Sequence, residues 1–476
     1  MNPFPSDFSW GVSTSAYQIE GATTQDGRGD SVWDMFVRRE GVIAGNGNAN
    51  ITCDHYNRWK EDVGWLSKLG VNSYRLSVAW PRVLPDGSGR IEQRGLDFYD
   101  RLVDALFERQ IEPWVCLFHW DFPLSLFQRG GWLNRDSARW FADYAEIVTR
   151  KLSDRVTRWI TYNEPQVFIS EGHFHGRHAP GLRLPWKEVL LAAHNALLGH
   201  GYAVAAIRAN AVRPPFVGYA PAAPVSLPAS NSAEDVAIAY AESCSVTHDT
   251  IWNMAWWLDP VILGHYPTNA QEIFGDAVPT PAAGDLEVIS QPLDFLGLNI
   301  YWGPQVDATR RGKNATWNYP VDHPRTAFGW AITPEIMYWA PRFMAKRYGL
   351  PIVVTENGIS CLDSIAADGL VHDSHRVDFL TRHVAMLRAV MQAGVDILGY
   401  FHWTLLDNFE WADGYKQRFG LLHTDFANGK RFPKDSFHHY RSIIADKGTS
   451  ILSYQPGIVE PEGWESDEEV LQFIRR

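Results

Sequence analysis

The chain has 476 residues, 45% of them hydrophobic, enough to bury a sizeable core as one large domain or two to three average ones. Its formal charge of −12, from 43 Lys and Arg against 55 Asp and Glu, argues against a nucleic-acid or anionic-membrane partner. Four cysteines, Cys53, Cys116, Cys244 and Cys361, lack metal or redox spacing, so free buried thiols in a reducing compartment are expected.

From the start, Met1 to Asp7 lead into folded-looking sequence with no basic-then-apolar leader. No apolar run approaches the roughly 20 residues of a membrane span. The expected location is therefore cytoplasmic, where the sequons at Asn50 and Asn314 carry little meaning. Strand-like runs then follow at 8–17, 71–80, 112–119, 156–164, 216–220, 293–301, 352–356 and 397–403. Helical patterns occupy 95–109, 137–152, 186–208, 233–263, 334–348, 375–393 and 434–445. Alternation of this kind implies parallel strands joined by crossover helices. With eight units, polar strand ends and no linker, the prediction is a single (β/α)8 TIM barrel, an α/β fold, over 1–476. A pair of doubly wound domains is the alternative, but no Gly-rich phosphate turn follows the first strand. Gly45-Asn46-Gly47-Asn48 lacks the spacing, and Gly429-Lys430 is no P-loop.

A barrel carries its active site at the C-terminal strand ends. Those ends offer Gln18 and Glu20, then Arg75 within strand two, then His119-Trp120-Asp121. Asn163-Glu164 close strand four, Asn299 and Tyr301 strand six, Glu356 strand seven and Trp403 strand eight, before a long loop through Asp407, Asn408, Phe409, Glu410 and Trp411. Glu164 and Glu356 each end a β-branched and aromatic run that Pro165 or Gly358 then breaks. Either alone reads as an ordinary solvated acid. Together, among so many hydroxyl-binding groups, they fit glycosidic bond cleavage, in which one acid protonates the leaving oxygen and the other attacks the anomeric carbon or activates water. The 21 tryptophans suit sugar rings and large cores alike.

A metal-dependent hydrolase is the competing reading, because His173, His175 and His178 look like a ligand cluster. They share one Gly-containing loop, and only His119 offers a further ligand at another strand end. No metal and no cofactor are expected. His194 and His200 fall on the 186–208 helix and read as surface or core residues.

Taken in order, these segments resemble a retaining β-glucosidase of glycoside hydrolase family 1 nearly from end to end. The resemblance is carried by Phe8-Ser9-Trp10-Gly11 through Gln18-Ile19-Glu20-Gly21, Arg75-Leu76-Ser77, His119-Trp120-Asp121, Asn163-Glu164-Pro165, Thr355-Glu356-Asn357-Gly358 and Leu405 through Trp411. It implies that Glu164 is the general acid and base and Glu356 the nucleophile, with Asn163 on the sugar 2-hydroxyl. Arg75 and Tyr301 are expected to hold Glu356 ionised, and its charge to keep Glu164 protonated. Gln18, His119, Glu410 and Trp411 correspond to hydroxyl-binding groups, and Trp403 to the platform under the ring. Asn299 is expected to position Tyr301 or a water, and Trp330 to line the aglycone side or pack under the rim.

The implied partners are β-glucosides or short oligosaccharides, with transglycosylation and galactoside or fucoside cleavage as alternatives at the same site. A silent sugar-binding protein on this fold would lack one glutamate. Cys116, Phe118, Tyr162, Ile300, Trp302 and Thr404 depart from the family's usual residues beside the site and bear on fine specificity. Aglycone choice is expected to rest on loops such as 310–324; no expectation attaches to oligomeric state.

Overall fold

The computed structural model describes residues 4–308, 316–317, 319–454 and 457–464. Eight parallel strands close a barrel in sequence order, and each pairs with its neighbours in the chain. They are β1 (Ser9–Ser13), β2 (Ser73–Ser77), β3 (Glu112–Phe118), β4 (Arg158–Asn163), β5 (Phe216–Ala220), β6 (Phe295–Asn299), β7 (Ile352–Asn357) and β8 (Ile397–Trp403). Pairing of β1 with β8, Ser9 opposite Gly399 through Ser13 opposite Trp403, shuts the ring. The outer helices are α1 (His55–Leu69), α2 (Gln93–Phe107), α3 (Ser137–Leu152), α4 (Trp186–Asn210), α5 (Ala233–Ser243), α6 (Ile336–Tyr348), α7 (Ser374–Gln392) and α8 (Asp435–Ala445).

The helices follow from their apolar spacing. In α3, Phe141, Tyr144, Ala145, Val148 and Leu152 recur at steps of three and four and are buried against the barrel and α4. In α1, Val63, Leu66 and Leu69 form the buried stripe, and Gly70 at φ 83° ends the helix in the left-handed conformation that glycine takes without strain. This helix is absent from the sequence expectation. Its stripe is narrow, and polar residues such as His55 and Asp62 are buried too, held by each other at 2.8 Å.

Two expected boundaries shift. The run at 8–17 stops as a strand at Ser13, and Ala16–Ile19 turns helical, which swings Gln18 inward. The helix expected over 233–263 breaks after Ser243. There Ser243 and Ser245 bond back to the carbonyls of Ala239 and Ala241, a local alternative to continued helix.

Inside the barrel, Trp114, Cys116, Ile160, Ala220, Phe295, Val353 and Phe401 form a separate apolar cluster. Trp114 meets Phe295 and Phe401 edge-on at 5.2 Å each. This plug fills the barrel below the polar strand ends. One helix among the described residues, α4, is long and apolar enough to cross a membrane, which corrects the expectation that no run approaches that length. It is a core helix instead, largely buried by α3 and the barrel, and His194, Asn195 and His200 on it are buried within the protein. Gly199 allows its close approach, because a Cβ there would lie 2.4 Å from the Tyr162 hydroxyl. Cys53, Cys116 and Cys244 are buried thiols and Cys361 is half-buried, none of them in a disulfide among the described residues.

Candidate active site

The strand ends converge on a cavity of about 480 Å³. Glu164, Glu356, His119, Asn299, Tyr301, Trp330, Trp403, Glu410 and Trp411 all line it. Arg75, Asn163 and Gln18 lie just behind them, fully buried.

Arg75 decides how this polar layer is assembled. A buried guanidinium is tolerable only where acceptors replace its water. One amino group donates to Glu356 Oε1 at 2.5 Å, and the other to Asn163 Oδ1. Tyr301 donates to Glu356 Oε2 at 2.9 Å, so each oxygen of this carboxylate has its own donor. Asn163 Oδ1 also accepts from Asn299 Nδ2 at 2.9 Å, and Asn299 Oδ1 accepts from the Thr355 hydroxyl at 2.7 Å. Asn299 therefore orients Asn163, and its bonds do not run to Tyr301 as expected. Asn163 Nδ2 donates to His119 Nε2 at 3.1 Å, which leaves one of its two amide hydrogens uncommitted among the described residues. Burial, and then Arg75, lower the His119 pKa well below the usual value, so its ring is neutral and can accept that bond.

Glu164 sits where β4 breaks into the turn Pro165–Ile169, at φ 44° and ψ 69°. Its N–H donates to Ala220 O on the neighbouring strand at 2.8 Å. Pro165 opens the helical turn, where a missing N–H and a fixed φ cost nothing. A left-handed glutamate is strained by about 1–3 kcal/mol, and such strain gathers where a side chain must be aimed.

Electrostatics separate the two acids. Burial, with the charge of Glu356 behind it, pushes the Glu164 carboxyl up to about 8. Arg75 and Tyr301 meet Glu356 as expected and lower its pKa, but burial outweighs them and Glu356 is raised as well. Of the pair, Glu356 ionises first, since it holds the cation and the phenol while Glu164 has only the weaker help of Asn299 and a more distant Arg75.

On one side of the cavity, Trp411 lies at 4.4 Å from Trp120 and 4.6 Å from Trp33, and the His119 ring stacks near Trp403 at 5.8 Å. Gln18 donates to Asn408 Oδ1, Phe409 O and Glu410 Oε2 at 3.0–3.3 Å. Its amide thus braces the loop bearing Glu410 from behind. Burial, then Asp413, Glu356 and Glu164, hold the Glu410 carboxyl well above the usual range.

Towards the mouth, Trp330 stacks on Phe328 at 4.6 Å and lies 5.3 Å from Tyr301. Trp252 and Trp302 are partly exposed there, and Glu171, Glu242 and Asn253 complete that wall. Trp330 and Trp302 are among the residues named from the sequence. Trp252 and Asn253 escape sequence reasoning because they sit in an irregular stretch with no periodicity. Glu171 and Glu242 escape it because each lies on a helical segment, Ser170–Phe174 and α5, that nothing local marks as facing a cavity. Trp120 is in view, within His119-Trp120-Asp121, without a role. Of the loop 310–324, residues 310–315 and 318 lie outside the described residues. His173, His175 and His178 do not converge. His173 is buried with Nδ1 bonded to Phe168 O, His178 lies beside Trp33 and Trp120 in the cavity wall, and His175 is exposed.

Residues 1–449 match the model for Glycosyl hydrolase family 1. The chain belongs to this family. It is 40% identical over 450 residues to β-glucosidase A of Thermotoga maritima, covering 94% of this chain and 99% of the relative. It is 41% identical over 447 residues to a β-glucosidase of an Agrobacterium species, covering 93% and 95%. Among solved structures, the Thermotoga maritima β-glucosidase in complex with glucoimidazole superposes with a TM-score of 0.86 at 40% identity, over 94% of this chain and 99% of that one. Membership of the family gives the barrel and its strand-end cavity a common origin with enzymes that hydrolyse glycosides.

Proposed function

We propose that Glu356 is the nucleophile and Glu164 the acid and base with which this retaining β-glucosidase acts on terminal non-reducing β-D-glucosyl residues. The observation that carries the division is the unequal surroundings of the two carboxyls. Glu356 has a donor on each oxygen from Arg75 and Tyr301, whereas Glu164 is desolvated and faces the negative Glu356. In the first step the Glu356 carboxylate attacks the anomeric carbon as Glu164 hands its proton to the departing aglycone oxygen. A covalent glycosyl ester then removes the charge of Glu356, Glu164 becomes more acidic, and it takes a proton from the incoming water. Asn163, held by three neighbours with one N–H to spare, suits the 2-hydroxyl, whose contact strengthens in the oxocarbenium-like transition state. Glu410, Trp411 and His119 face the remaining hydroxyls, with Gln18 as their brace and Trp403 as the platform.

Support for this reading comes from relatives that carry both the glucosidase name and, in Bifidobacterium breve, a combined glucosidase and fucosidase name at 38% identity. A galactoside or fucoside side activity and glycosyl transfer to alcohols use the same intermediate. The family match over 1–449 supports one catalytic domain, and the reduced thiols support a cytoplasmic setting, which activity assays on intact and lysed cells would test. The deciding experiment is inactivation by a 2-deoxy-2-fluoro-β-glucoside followed by peptide mapping. The label is expected on Glu356, and a label on any other residue overturns the assignment.

A further inference from the structure

The segment that presents Glu410 and Trp411 leaves β8 through one isolated bridge, Leu406 with Leu422, and a single 3-10 turn over Trp411–Asp413, so little main-chain pairing fixes its root. Its anchor is Asp407, three residues before Glu410 and fully buried. Asp407 Oδ1 accepts from Lys434 Nζ at 2.8 Å and from the Gly420 N–H at 2.9 Å, and Oδ2 accepts from Arg418 at 2.8 Å. Lys434 lies at the start of α8, outside the barrel, and is also fully buried. Its ammonium is shared, donating to Asp363 Oδ2 at 2.6 Å as well. Asp363 follows β7, seven residues after Glu356, and accepts from Arg376 at 2.7 Å. Arg376 in turn pairs with Asp373 and donates to the carbonyl of Arg418 at 2.8 Å. Three cations and three carboxylates thus form one lattice, buried except at the partly exposed Arg418, tying the segments after β7 and β8 to α7 and α8. Asp407, Asp363 and Lys434 do not line the cavity.

We propose that Lys434 is a positioning residue for sugar recognition: by holding Asp407 and Asp363 on one ammonium, it sets the depth at which Glu410 and Trp411 meet the substrate. The argument rests on the reading of Glu410 as a hydroxyl acceptor. Burying charges gives little net stability even when paired, so the lattice is poorly explained as a stabiliser. Its geometry explains it better, since an ammonium between two carboxylates fixes both far more tightly than apolar packing would. Loss of the cation leaves Asp363 to Arg376 and Asp407 to Arg418 and the Gly420 N–H, with nothing bridging the two carboxylates, so their mutual distance relaxes and the loop shifts at its root. Gln18 still braces the loop from the cavity side, so the displacement is small and is felt mainly in the hydroxyl contacts.

The test compares dinitrophenyl β-glucoside with its 4-deoxy and 6-deoxy analogues in Lys434→Met, Lys434→Arg, Asp407→Asn and Glu410→Ala. In Lys434→Met, kcat/KM for the glucoside should fall about 30-fold, the value of a charge-assisted contact to a hydroxyl, and that for the deoxy analogues by less than about threefold. Lys434→Arg keeps the cation and should recover to within about fivefold of the parent enzyme. Asp407→Asn, of unchanged size, should discriminate as Lys434→Met does, so either one decides if the other does not fold by circular dichroism. An equal loss across the three substrates in the folded variants, with Glu410→Ala still discriminating, overturns the proposal alone. A Glu410→Ala variant that does not discriminate overturns the reading of Glu410, and the proposal with it.

Discussion

Arg75 joins Glu356 to Asn163, the residue next to Glu164, with one amino group on each. One side chain from β2 therefore stabilises the charge of the carboxylate proposed to attack and the orientation of the amide beside the proposed proton donor.

If the two carboxyls act as assigned, anomeric configuration is retained. Proton NMR of the first product should show the β-anomer before mutarotation. An initial α-anomer removes Glu356 as nucleophile.

Azide should separate the two roles. Glu356→Gly is expected to lose hydrolysis, with azide entering from the vacant face to give the α-glycosyl azide. Glu164→Ala should keep glycosylation by a dinitrophenyl substrate, whose leaving group needs no proton, and give the β-glycosyl azide. The same product from both variants contradicts the assignment.

The pH profile of kcat/KM should be a bell whose alkaline limb, near 8, belongs to Glu164 and whose acidic limb belongs to Glu356, the two limbs describing a coupled pair. In Glu356→Gln the Glu164 pKa should fall. It should stay above an ordinary glutamate, because burial is the larger of its two causes. Carboxyl NMR showing no fall disproves the electrostatic coupling.

Stability should follow the same proton with the opposite sign to that of a paired carboxylate. The folded Glu164 binds its proton up to about 8, whereas the unfolded chain releases it near 4.5. Between those values the folded state holds more protons, so stability falls as pH rises. Glu164→Gln, which cannot ionise, should raise the melting temperature more at pH 8.5 than at pH 5. Equal shifts at both pH values would falsify the linkage.

A sugar 6-phosphate should be a poor substrate. The family's sister group for phosphorylated sugars has a small Ser where Glu410 stands, and a Lys where this chain has Gln417. A 6-phosphate would bring nearly two negative charges into a buried pocket that already holds the acids Glu356 and Glu410, and stripping their water there costs several kcal/mol, enough for more than a hundredfold preference for the neutral glucoside. Comparable kcat/KM for the pair would place Glu410 outside the sugar site.

Much of this architecture was legible from strand ends. Pro165 and Gly358 mark where Glu164 and Glu356 leave their strands, and parallel barrels expose those ends on one face. The 2.5 Å contact of Arg75 with Glu356 bears out an expectation that came with the family resemblance, since it spans the barrel and a strand pattern carries no sign of a partner 281 positions away. What stayed hidden was three-dimensional by nature. Helix α1 was missed because its polar residues are buried in pairs, such as His55 with Asp62, which periodicity reads as solvent-facing. The break after Ser243 depends on hydroxyls turning back onto carbonyls, a choice between two local bonds that composition does not decide. Burial also moved the charge balance: Glu356 has its cation and its phenol, yet is still raised.

The left-handed backbone of Glu164 has an evolutionary reading. A glycine there would relax the main chain and dispense with a buried acid, so, on the role proposed for Glu164, the replacements that stabilise this position most are inactive ones. A lineage released from selection for catalysis would tend to lose this glutamate early, and would fold better for the loss.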